Sequence, residues 1–214
     1  HAARDGLDRF EDVLPLDRVD RALQLIREGK PVTRGTLQTM FERKAYDELK
    51  RLGLTDESER LVRSRFPELT GMLTVEQVIP QSAADGKLAP GDVLLRVNGE
   101  LVTEFVPLAS VLDDYVGREI EIEVERGGVA KNYTIKVDDL HAITPDEFIE
   151  VGDGVVNKLS YQQARHYNLA AEGVYVANPG YLFSKAAIPR GAVIKRIDSD
   201  EISNLDDFEA ALDE

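Results

Sequence analysis

Apolar positions fall at helical spacing in the first part of the chain and mostly in alternation after it. The first ten residues show no period and read as a loop or frayed lead. In LPLDRVDRALQLIREGKP, Val19, Ala22, Leu23 and Ile26 recur at i, i+3, i+4 and i+7, which predicts one amphipathic helix. Asp17 is its expected N-cap, Gly29 its stop, and Pro31 bars continuation. A short helix of this kind is expected to dock on another surface. VTRGTLQTMFER then reads as a strand broken early by Gly35. AYDELKRLGLT reads as a helix with Tyr46, Leu49 and Leu52 on one side, and DESERLVRSRFPEL as a further helical turn before Pro67. GMLTVEQVIP and DVLLRVNG are strand-like. Leu94 joins the alternating Val93, Leu95 and Val97, so that strand is expected to be covered on both faces. A helix is expected to open at Pro107, with Leu108, Val111, Leu112 and Tyr115 on one face and Gly117 at its end. In EIEIEVERGGVAKNYTIKV, Ile120, Ile122 and Val124 point one way and Glu119, Glu121, Glu123 and Glu125 the other, around a Gly127-Gly128 turn. The glutamate face is expected to be solvated.

The polar stretch DDLHAITPDE reads as a linker, and after it the pattern restarts. EFIEVGDGVV is strand-like, SYQQARHYNL opens with Ser160 and Gln163 in capping-box spacing, and GVYVAN and GAVIKRID are strands. SNLDDFEAALDE is a helix with Asn204 as cap and Phe208, Ala211 and Leu212 inward. At one constant offset Leu88 falls on Ile188, Gly91 on Gly191, Val93 on Val193, Leu94 on Ile194, Val97 on Ile197 and Val102 on Ile202. Leu108 and Leu112 fall on Phe208 and Leu212. This is a tandem duplication of a domain of about 100 residues, longer than a solenoid unit. The divisions expected are a leading segment over 1–31, a first domain over 32–140 and a second, C-terminally truncated, over 141–214.

Composition narrows the function. Of the 214 residues 43% are apolar and 31% charged, a globular balance. A formal charge of −14 argues against nucleic acid, whose phosphates select clustered Lys and Arg, and against an anionic membrane surface. No membrane span is expected from the hydropathy. The absence of cysteine excludes disulfides, thiol catalysis and Cys-based zinc sites. His1 in place of Met, and a helix pattern still running at the last residue, are expected of a piece of a longer protein.

The stretch VIPQSAADGKLAPGDVLLRVNGELV resembles the core motif of a PDZ domain: a strand, a small-residue loop, then L-x-x-G-D-x-[IVL]-L-x-[IV]-N-G. The element order resembles the circularly permuted PDZ arrangement of HtrA (Deg) serine proteases. FEDVLPLDRVDRALQLIREGKPVTRGTLQTMF resembles the exit from their protease domain. PLDR, ITP after DLHA, and LSYQQAR resemble a branch that includes the fungal nuclear-mediator-of-apoptosis protease. The resemblance covers nearly all of residues 13–214. It implies an α+β fold of two PDZ-like, partly open antiparallel barrels, C-terminal to a trypsin-like domain. It implies the nucleus for a fungal chain and an extracytoplasmic compartment for a bacterial one.

A PDZ domain adds an extended peptide to an exposed sheet edge beside a helix, and backbone N–H groups in a nest catch a terminal carboxylate. By the resemblance the nest loop is Thr36-Leu37-Gln38-Thr39, with Met40 and Phe41 continuing the strand and Gln38 where the family has Gly. Arg34 is placed to attract a carboxylate, or simply lies solvated. Leu108, Val111 and Leu112 are expected on the far wall, some filling core and some lining groove. In the second copy the loop falls at Gly152-Asp153-Gly154-Val155 and the helix residues are Phe208, Ala211 and Leu212. An ionised Asp153 pointing into that site would weaken carboxylate capture, since like charges about 4 Å apart repel by roughly 4 kcal/mol at an effective dielectric of 20.

No Gly-x-Ser-Gly-Gly nucleophile loop occurs. The histidines, His1, His141 and His166, do not read as a catalytic or metal constellation. The expected reading is a non-catalytic tandem PDZ segment of an HtrA-type endopeptidase, without cofactor or metal. It is expected to capture apolar peptides or unfolded protein, to work with the protease domain of the same chain, and to belong to a homo-oligomeric parent. The alternative is a scaffold or oligomerisation module with blocked grooves.

Overall fold

The computed structural model describes residues 16–213. The frayed lead and the start of the exit segment, expected within residues 1–15, lie outside them. The chain opens with α1 (Leu16–Arg27), then β1 (Gly35–Thr36), β2 (Thr39–Ala45), α2 (Tyr46–Leu52), α3 (Asp56–Arg65) and β3 (Gly71–Val78). Next come β4 (Val93–Val97), β5 (Glu100–Leu101), α4 (Phe105–Asp114), β6 (Glu119–Arg126), β7 (Val129–Lys136) and β8 (Asp138–Asp139). The second unit holds β9 (Phe148–Val151), β10 (Gly154–Lys158), α5 (Tyr161–Tyr167), β11 (Val174–Asn178), α6 (Gly180–Lys185), β12 (Val193–Ile194), β13 (Arg196–Ile197), β14 (Asp200–Glu201) and α7 (Leu205–Leu212). The fold is α+β with antiparallel sheets that stay open.

In the first unit the sheet order is β2-β3-β4-β6-β7, with β5 beside β4, so β2 and β7 are its edges. Leu94 and Val97 of β4 point into a core with Leu37, Val75, Leu108, Leu112, Ile120, Ile122, Val124 and Ile135. Val93 and Leu95 point the other way, against Tyr46, Leu49, Leu54, Val62 and Met72 from α2, α3 and β3. The strand is therefore covered on both faces, which explains its unbroken apolar run. Among the described residues no helix is long and apolar enough to cross a membrane.

The glutamate face of the hairpin departs from expectation. Glu123 meets Arg96 at 3.0 Å. Glu125 is buried, and its carboxylate accepts from Thr55 N–H (2.8 Å), Thr55 Oγ1 (2.9 Å) and Ser58 Oγ (2.5 Å). The cause lies in α3, whose N-terminal donors need an acceptor and whose dipole favours a negative charge there. Glu125→Ala is expected to cost about 1–3 kcal/mol in chemical denaturation, the penalty for orphaning buried donors. A cost near that of Glu121→Ala, on the same face, would show that the contact is not structural.

The sequence signals also misplace several boundaries. The early strand breaks at Leu37-Gln38 rather than at Gly35, because Gln38 turns left-handed (φ 52°). Gly35 instead packs on α4, where a Cβ would lie 2.1 Å from the Leu112 carbonyl oxygen. Helix α4 starts at Phe105, two residues ahead of Pro107, whose missing N–H costs nothing in a first turn. Asp17 lies inside α1 rather than capping it. Leu212 is exposed, not inward. The short α6 has no counterpart in the sequence reading.

The second unit carries a four-stranded sheet, β12-β11-β10-β9, around Val156, Val174, Val176, Phe183, Ile202 and Phe208. The repeat holds at backbone level. Gly91 and Gly191 sit at φ 89° and 90°. Gly91 N–H donates to Val75 O at 2.8 Å, and Gly191 N–H to Val176 O at 2.9 Å. Among the motif positions that differ, Asp92 is fully buried, held by Arg126 through Nε (2.6 Å) and Nη2 (2.7 Å) and by Ala89 N–H (2.8 Å). Its counterpart is Ala192, which has no carboxylate to pair.

Candidate peptide-binding groove

Among the described residues strand β2 pairs with β3 on one side only. Tyr46 N–H donates to Thr70 O, and Gln38 O accepts from Ile79 N–H. Ladder bonds alternate along an antiparallel strand. The N–H groups of Thr39, Phe41 and Arg43 therefore point to the open edge. Phe41 turns its ring toward the core that also holds Leu108, Val111 and Leu112 of α4. Met40, by the same alternation, projects from the outer face. An unpaired edge with an apolar helix on its inner side is thus present.

Of the helix residues singled out from the sequence, Leu108 and Leu112 are buried in the core and Val111 is half-buried. Phe105 and Val106, in the first turn, are exposed and were not singled out. Their signal was available: they are the only large apolar pair just ahead of the proline.

In the loop before β2, Gln38 is already satisfied. Gln38 N–H donates to Thr36 Oγ1 at 2.9 Å, and Gln38 Nε2 to Asp138 Oδ2 at 3.1 Å. Leu37 is buried. A left-handed residue with a side chain costs roughly 1–2 kcal/mol, and the bond to Asp138 offsets part of that. The carboxylate of Asp138 lies beside the turn because β8 pairs with β1, Thr36 facing Asp138. Arg34 is turned to Asp113 at 3.6 Å.

That aspartate organises the end of α4. Asp113 is buried, bound by Arg18 Nη2 (2.7 Å) and Gly35 N–H (2.9 Å). Arg21 binds Asp114 at 2.6 Å and the Asp113 carbonyl at 2.7 Å. Two cations of α1 thus sit at the negative end of α4. They fasten α1 by its polar side, while Leu16, Val19, Leu23 and Ile26 remain exposed. Sequence reading saw the amphipathic helix and not the arginine pair that seats it.

In the second unit Gly152 (φ 52°) and Asp153 (φ 60°) form the turn of a tight hairpin, Val151 facing Gly154. Val155 lies on β10, Phe208 is buried, and Ala211 packs against the same cluster. Ser160 Oγ accepts from Gln163 N–H in a capping box. The His166 ring packs edge-on against Tyr167, and His141 N–H donates to Asp139. Among the described residues no group of three or more His, Asp or Glu is placed to hold a metal.

Known proteins share this sequence. Protease Do-like 7 of Arabidopsis thaliana is 47% identical over 210 residues, 93% of this chain and 19% of that protein. The pro-apoptotic serine protease nma111 of Aspergillus fumigatus is 50% identical over 195 residues, 91% of this chain and again 19% of that protein. Over nearly all of its length this chain is similar to a segment of Do-like serine proteases. The PDZ-like domain family matches residues 142–214 of it. Among solved structures, the segment is similar to the HtrA-type protease AlgW with decapeptide at 24% identity and a TM-score of 0.44, over 59% of this chain and 35% of that one. It is also similar to the HtrA3 PDZ domain bound to a phage-derived ligand at 18% identity and a TM-score of 0.30, over 47% of this chain and 90% of that one. The segment spans about a fifth of the length of its curated relatives.

Proposed function

We propose that the first unit captures extended apolar peptide segments by adding them to the edge of β2, with α4 as the opposite wall. The observation that carries this is the unpaired edge, whose Thr39 and Phe41 amides face outward beside an apolar helix. Main-chain pairing supplies affinity, and pockets for alternate side chains supply selection. The terminal carboxylate contributes little. The Gln38 amide is held by Thr36, and Asp138 places a negative charge beside the turn. The segment therefore serves substrate selection in a longer serine endopeptidase, with unfolded protein as its ligand. The names of the relatives support that parent activity, and the segment itself carries no part of the catalysis.

The exposed apolar side of α1 fits a further contact in the parent. We assign it to the protease domain of the same chain, since α1 stands at the N-terminal end of the segment and is already clamped on its polar side.

The test is titration of an apolar peptide ending in a free acid, and of its amide, against the segment. The two are expected to bind within about threefold of each other, well under the 1.4 kcal/mol that a tenfold change represents. Loss of binding on amidation would overturn the weak role given to the carboxylate. No binding of either peptide would overturn the capture reading itself.

A further inference from the structure

We propose that strand β9 fills the place beside β10 that a peptide would take beside β2, so that only the first unit leaves this strand edge open. The inference extends the capture reading, and its first measurement does not depend on that reading.

The two units differ in the chain path just ahead of the edge strand. Gln38 and Asp153 occupy matching positions before the edge strand, and both are left-handed. In the first unit the residues ahead of that turn leave β2 and pair with β8, Gly35 facing Asp139. In the second unit Gly152 is left-handed as well. Two consecutive residues at positive φ make the turn that matches strand twist and folds a chain straight back on itself. Residues 148–151 therefore return along β10, with Val151 facing Gly154, Glu150 facing Val155, Ile149 facing Val156 and Phe148 facing Asn157. β10 is paired on both sides, to β11 and to β9, whereas β2 has one partner.

Strand β9 lies where a ligand would lie. Ile149 and Val151 point inward, against a core that holds Leu205, Phe208 and Ala211 of α7. Phe148 points outward and is 63% exposed. Asp146–Ile149 and the α7 residues Leu205, Asp206 and Glu209 line one cleft of about 330 Å³, which puts β9 between β10 and α7. An antiparallel strand with alternate apolar residues turned between an edge strand and a helix is the arrangement of a captured peptide.

The turn is held from behind. Leu182 N–H donates to Gly152 O at 3.3 Å. A Cβ on Gly152 would lie 2.6 Å from Leu182 Cβ, and one on Gly154 2.7 Å from the Phe183 ring. Both glycines are required by α6, which presses on the hairpin.

Hydrogen exchange on the 214-residue segment tests this. A two-residue turn directs the amides of Gly154 and Val156 at β9. These are expected to exchange slowly without any peptide, while Phe41 and Arg43 exchange fast. On adding an apolar peptide, protection is expected at Thr39 and Phe41 and not at Gly154 or Val156, with a stoichiometry of one. Releasing the strand with the Ile149→Gly/Val151→Gly double variant is expected to speed exchange at Gly154 and Val156 and raise the stoichiometry to two. Should that variant unfold the second unit, the exchange pattern of the unchanged segment decides. Fast exchange at Gly154 and Val156 in the unchanged segment overturns the proposal. So do two peptides bound to it, or a variant with freed β10 amides that still takes one. If no peptide binds anywhere while those amides stay slow, the closure stands and the capture reading fails.

Discussion

Asp92→Ala is expected to lower the stability of the first unit by about 2–3 kcal/mol, the cost of removing a buried acceptor from charged and backbone donors. The carboxylate is fully buried, and Arg126 reaches it with two nitrogens. Removing it strands a guanidinium that also holds the Lys87 carbonyl at 2.7 Å, and frees the Ala89 N–H of the turn. In urea, with a slope of about 2 kcal/mol/M, the midpoint is expected to fall by about 1 M. The Asp92→Ala/Arg126→Met pair is expected to recover much of the loss, because no unpaired charge remains. The second unit has Ala192 at the matching place, so a transition assigned to it should not move. A loss under about 1 kcal/mol in the single variant would show that water reaches the pair.

A peptide N-methylated at the two amides facing β2 is expected to bind about 30-fold more weakly than its unmodified form. Each lost hydrogen bond is worth about 1 kcal/mol net, and 1.4 kcal/mol is a factor of ten. Methyl groups on the alternate amides, which face away from β2, should leave affinity within about threefold. Equal losses from both peptides would rule out strand addition. This measurement leaves the protein untouched, which matters here. Leu37 and Leu108 are buried, so charging either would report unfolding rather than a blocked site.

The repeated pattern was legible because it is written in turns. Glycines and short polar residues at fixed distances from apolar strands are local demands on φ, and Gly91 and Gly191 meet them alike. The hairpin of β6 and β7, the capping box at Ser160 and the two-faced β4 are also local or periodic, and each is found as read. What sequence could not show was pairing between distant segments. Nothing near Glu125 says that α3 will bring Thr55 and Ser58 to it. Nothing near Arg18 names Asp113. The candidate site divides in the same way. The strand and helix that frame it follow from pattern and resemblance. The self-satisfied turn depends on Asp138, which β8 delivers from far along the chain. The path of β9 hung on Gly152, which the sequence marks as a turn residue without saying what the turn returns to.

The open edge of β2 sets a problem of solubility as well as one of recognition. A strand with unpaired amides is a template for any other strand, including that of a second copy. Beyond Phe41 the strand continues as Glu42-Arg43-Lys44, and Lys44 lies at 2.7 Å from Glu42. A hydrophobic newcomer extending past the first residues would have to strip water from three consecutive charges. The edge is thus hospitable for a few residues and hostile thereafter. On the capture reading such an edge takes a short apolar peptide, yet gives no foothold for a growing fibril.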